Sequence, residues 1–115
     1  MDTATQQGTV ERTDERTRRI RELNDALRIY SKGGETYLTR GVSAKGDDFI
    51  ARVFRAVADF DEFTEGNDPY GEHDFGAVTV DGERVFFKVD AYDRAKEYGS
   101  EDPADPRVTT RVMTI

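Results

Sequence analysis

Between residues 67 and 76 the chain reads Asn-Asp-Pro-Tyr-Gly-Glu-His-Asp-Phe-Gly. This stretch gathers Asn67, Asp68, Tyr70, Glu72, His73 and Asp74, including the only histidine of the chain, on a segment bent by Pro69, Gly71 and Gly76. Hard carboxylate oxygens beside an imidazole suit a divalent cation such as magnesium, calcium or manganese. Asp68, Glu72, His73 and Asp74 are the candidate ligands, with Asp90 and Asp93 approaching from the far end of a following hairpin. One histidine and no cysteine argue against a closed zinc site. His73 beside a carboxylate is also a general acid–base pair. There is no His-Glu-x-x-His, phosphate-binding glycine loop or nucleophile elbow, so no residue is assigned as catalytic. A divalent metal is the one cofactor the loop admits, and nothing calls for another. The same residues have an architectural reading. Asn67-Asp68-Pro69 initiates a turn, Gly71 and Gly76 permit special backbone angles or close packing, and Tyr70 and Phe75 pack.

Charge is unevenly distributed along the 115 residues. Residues 1–58 carry 11 basic and 9 acidic side chains, while residues 59–105 carry 4 basic and 15 acidic, a net of −11. That field repels phosphate backbones and draws basic proteins, so direct nucleic-acid binding is not expected. An acidic partner surface is expected at Glu97, Glu101, Asp102 and Asp105. The absence of cysteine fits a reducing cytoplasm. No apolar run approaches the ~20 residues that span a bilayer, and no membrane contact is expected.

These groups need a scaffold. Met1 to Val10 reads as a disordered lead-in, and residues 11–115 as one α+β domain. Residues 11–31 carry Ile20, Leu23, Leu27 and Tyr30 at helical spacing, with Thr13 as N-cap and Gly33-Gly34 as the stop. The arginines near its start alternate with acidic residues and read as a solvated face. Thr36–Val42 reads as a short strand. Asp47–Glu62 is the strongest helix, with Phe49, Ile50, Val53, Phe54, Val57 and Phe60 on a broad apolar stripe. Asp81-Gly82 between two β-rich runs predicts a two-residue hairpin. Its register pairs Val80 with Glu83, Val78 with Val85 and Gly76 with Phe87, and puts Asp74 opposite Val89. Val78, Val80, Val85, Phe87 and Val89 then share the core face. Phe75, Ala77, Phe86 and Lys88 share the other, which is apolar enough to need a covering element or a second subunit. A homodimer is one way to cover it. Asp93–Tyr98 is read as a helical turn, and Arg107–Ile115, rich in β-branched residues, as a strand.

The loop motif resembles that of an uncharacterised family of small bacterial proteins, mainly alphaproteobacterial and often borne on mobile elements. Phe86-Phe87-Lys88-Val89-Asp90, Tyr92-Asp93 and Gly99-Ser-Glu-Asp-Pro-Ala-Asp-Pro106 add to the resemblance. It covers residues from about Thr39 to Ile115 and implies no activity. The expectation is an antiparallel sheet of three to four strands with two helices packed on it. The expected function is a non-enzymatic binding or regulatory protein that engages a basic partner through its acidic C-terminal half. A small metal-dependent enzyme centred on residues 67–76 is the alternative.

Overall fold

Asp81 and Gly82 adopt φ of 52° and 79°. Two consecutive left-handed residues make the turn whose twist matches that of the strands it joins. The hairpin pairs as its sequence predicts: Val80 with Glu83, Val78 with Val85, and Gly76 with Phe87. The Val89 N–H donates to the Asp74 carbonyl at 2.8 Å, extending that series to the ribbon's open end.

The computed structural model describes residues 3–115. In chain order the elements are α1 (Thr3–Tyr30), β1 (Glu35–Tyr37), α2 (Arg40–Ser43), α3 (Asp47–Asp59), β2 (Phe75–Val80), β3 (Glu83–Tyr92) and β4 (Thr110–Thr114). The fold is α+β, with one four-stranded sheet in the order β1-β4-β3-β2. The expected all-antiparallel sheet is corrected at one edge, where β1 runs parallel to β4. The chain leaves β1 through two helices and a hairpin before β4 returns beside it. So long a crossover permits the parallel sense.

Phe49, Val53 and Val57 of α3 and Leu27 of α1 pack with Val80, Val85, Phe87, Val89 and Met113 of the sheet. Burial of these side chains, at about 1.5–3 kcal/mol each, drives the assembly. Gly76 is required there: a Cβ at this position would lie 2.6 Å from the Phe87 ring and 2.8 Å from Phe60. The opposite sheet face stays open at its β2–β3 end, while at the other end Val112 is buried on it. Phe75 and Phe86 are exposed on it and stack on each other, ring centroids 5.9 Å apart. The helices lie on the other side, so among the described residues neither supplies the expected cover.

Several boundaries differ from expectation. The lead-in reading of residues 1–10 falls partly on Met1 and Asp2, which lie outside the described residues. From Thr3 onward the backbone is helical, so Thr13 is inside α1 instead of capping it. The helix stops at Tyr30 because Ser31 takes the left-handed conformation, φ 56°, ahead of the two glycines. Its N–H and that of Lys32 turn back to the Leu27 and Ala26 carbonyls, closing the helix end. Tyr30 is exposed, and Asn24 and Arg28 are buried in its stead. Val42 belongs to α2 instead of a strand, and α3 ends at Asp59. Asp93–Tyr98 is a turn whose ends meet in a bridge between Tyr92 and Gly99, and not a helix. Residues 110–114 form a strand, as their β-branched content predicts.

Candidate functional site

The 67–76 loop is tied down from within and from α1. Inside it, Asn67 makes an Asx-type closure: its Oδ1 accepts the Thr64 N–H at 2.8 Å and its Nδ2 donates to the Glu62 carbonyl at 2.9 Å. Asp68 is buried, and its Oδ1 accepts the backbone N–H groups of Glu72 at 3.0 Å and His73 at 3.2 Å. Gly71 and His73 both take positive φ, 69° and 54°. Histidine is among the few side chains that tolerate this region.

From α1, Arg21, Asn24, Asp25 and Arg28 form a polar stripe at helical spacing. Arg21 donates to the Gly71 carbonyl and Asn24 to the Glu72 carbonyl, each at 2.9 Å. The His73 ring is gripped on three sides. Its Nδ1 is 2.9 Å from Asp25 Oδ1, its Nε2 is 3.8 Å from Asp68 Oδ2, and its plane stacks on Phe63 at 3.8 Å. Arg28 is buried beside them. It donates to the Val57, Ala58 and Phe60 carbonyls at the end of α3, and to Asp25. Arg111, also buried, donates to Asn24 Oδ1 and to the Pro103 carbonyl. The first helix, the loop and the last strand therefore share one polar seam.

The candidate ligands thus have distinct surroundings. Asp68 and His73 are engaged in the seam. Glu72 and Asp74 are half-buried, and no other side chain hydrogen-bonds either carboxylate among the described residues. Burial raises the Glu72 carboxyl above its ordinary value, and the negative charges of Asp74 and Asp68 add to the effect. Burial raises Asp74 likewise, with Asp68 and Asp90 contributing. Asp90 pairs with Lys88 at 3.2 Å, and Asp93 accepts the Glu97 N–H at 3.0 Å. Tyr70 is exposed. Among the described residues, no group of three or more histidine, aspartate or glutamate side chains converges closely enough to hold a metal ion.

The acidic loop is also partly neutralised. Asp102 pairs with Arg16 at 3.3 Å and Asp105 with Arg107 at 3.0 Å. The Arg107 hydrogen bonds hold the Asp105 carboxyl below its ordinary value. Glu97 and Glu101 are exposed and make no ion pair among the described residues. A second acidic group stands elsewhere. Asp59 ends α3 and Asp61, Glu62 and Glu65 come after it; all four are exposed and make no ion pair among the described residues. Glu62 borders two clefts of about 280 and 360 Å³ beside β2, and Asp59 and Asp61 border the second of them.

Sequence reasoning missed the α1 side of the seam. Its signal was present as four polar residues at i, i+3, i+4 and i+7, a spacing that puts Arg21, Asn24, Asp25 and Arg28 on one helix face. The reading of the arginines as a solvated face holds for Arg18 and Arg19, which bond to Glu15 and Glu22, but not for Arg21.

A protein-family model described as "Protein of unknown function (DUF3768)" matches residues 38–115. The match begins just after β1 and leaves α1 and β1 outside it. No curated protein and no solved structure matches the chain.

Proposed function

The chain belongs to the DUF3768 family of proteins of unknown function, and we propose that it is a non-catalytic binding protein that engages a basic protein through its acidic C-terminal half. A regulatory role in the cytoplasm, on a bacterial mobile element, is the setting in which we place that activity. One contrast carries the reading. The most chemically suggestive residues, Asp68 and His73, are engaged in holding the loop to α1. Asp59, Asp61, Glu62 and Glu65 lie exposed without cationic partners among the described residues. Carboxylates free of ion pairs speed encounter with a basic surface and favour it over acidic ones.

The alternative, a small metal-dependent enzyme, is favoured by the raised carboxyls of Glu72 and Asp74, since shifted groups gather at active sites. Calorimetry separates the two. The binding reading predicts that a lysine-rich peptide binds, that binding weakens with salt, and that reversing Asp59, Asp61, Glu62 and Glu65 to lysine abolishes it. Saturable uptake of magnesium, calcium, manganese or zinc that is lost in Glu72→Ala, with no peptide binding, would select the enzyme.

A further inference from the structure

The sheet order leaves β2 at an edge, hydrogen-bonded to β3 alone. Across a two-residue turn the pairs Val80–Glu83, Val78–Val85 and Gly76–Phe87 exchange hydrogen bonds, and the Val89 N–H to Asp74 carbonyl bond continues that set. The backbone N–H and C=O groups of Phe75, Ala77 and Thr79 therefore point away from the sheet. No turn, loop or cap hydrogen bond among the described residues reaches them. Natural edges are commonly blunted by lysine, proline, a bulge or a covering segment. Phe-Gly-Ala-Val-Thr-Val contains no charge and no proline, and its pairing with β3 is continuous.

We propose that this edge accepts an extended basic segment of a partner protein as a fifth strand, a mode of recognition that rests on the binding reading above. Backbone pairing to Phe75, Ala77 and Thr79 supplies the attachment. The clefts of about 280 and 360 Å³ run beside Ala77 and Thr79 and are walled by Phe60 and Glu62. Asp59, Asp61 and Glu62 outnumber Arg84 along this groove and select a basic occupant by charge. A second copy of the chain is disfavoured, because joining two β2 edges would bring these carboxylates against their counterparts. Strand side chains alternate. Residues of the guest on the helix side face the carboxylates, and those on the open side lie against Phe75. The segment recognised thus alternates basic and apolar residues.

The test is calorimetric titration with a short peptide alternating lysine and valine, and with the same peptide N-methylated at every second residue. N-methylation keeps the charge and removes the outward pairing. Thr79→Pro does the same from the protein side, because the Thr79 N–H makes no bond to β3. Should Thr79→Pro fail to fold by circular dichroism, the N-methylated peptide alone decides. The expected result is binding that falls by about tenfold or more with either change, the equivalent of one or two lost hydrogen bonds. Equal, salt-sensitive binding of both peptides would overturn strand addition and leave the acidic binding reading standing. No salt-sensitive binding of either peptide would overturn both. A concentration-dependent dimer in sedimentation that Thr79→Pro dissolves would assign the edge to a second copy and overturn the proposal.

Discussion

His73 Nδ1 lies 2.9 Å from Asp25 Oδ1, joining the centre of the loop to a helix 48 residues earlier in the chain. The imidazole that looks most like a catalytic group is thereby fixed between two carboxylates and the face of Phe63. His73→Ala is expected to destabilise the fold by about 1–3 kcal/mol, since it leaves part-buried Asp25 without one of its partners and removes an aromatic stack. Urea denaturation measures this. A loss near zero would mean that the contact does not hold the loop.

Arg28 closes the end of α3 by donating to three carbonyls, and its side chain is 4% exposed. Arg28→Ala is expected to cost about 3–5 kcal/mol, because the carbonyls and Asp25 lose their donor in a site water reaches poorly. Arg28→Lys recovers only part of this, as one ammonium cannot reproduce the planar fork. Thermal unfolding of the two variants beside the parent gives the comparison.

How much of this was legible in the sequence differs from element to element. The hairpin and its register follow from Asp81-Gly82, because a two-residue turn leaves one way to pair the flanking strands. The α3 core face follows from its apolar spacing. The parallel β1–β4 pair did not, because it joins residues 35–37 to residues 112–114 and no local pattern encodes so distant a contact. The loop was recognisable as distinctive from its composition. Its anchorage was hidden because Asn24, Asp25 and Arg28 are polar, and an apolar-stripe reading of α1 passes over polar residues that become buried. Tyr30, the last residue of α1, stays exposed where Ser31 turns the chain out of the helix.

The contribution of Glu72 and Asp74 to stability should rise as the solution is made mildly acidic. Glu72 and Asp74 bind their protons more tightly folded than unfolded, where their ordinary values are 4.5 and 3.8. Their contribution is therefore fully present below those values and is lost as pH rises through the elevated folded values. Glu72→Gln is expected to be more stable than the parent at neutral pH, and to show a smaller change in stability between neutral and mildly acidic solution. Urea midpoints of parent and variant across that range supply the measurement. An unchanged pH profile in Glu72→Gln would show that Glu72 does not carry the effect.

The central claim is that a basic partner is received along β2 and the Asp59–Glu65 segment, with the 67–76 loop serving as architecture. Amide chemical-shift mapping of the labelled protein, titrated with the alternating lysine–valine peptide, tests it most directly. The prediction is that shifts concentrate at Phe75, Ala77 and Thr79 and across residues 59–65. Shifts centred on Glu97–Asp105, or on Glu72 and His73 with β2 unmoved, would contradict it.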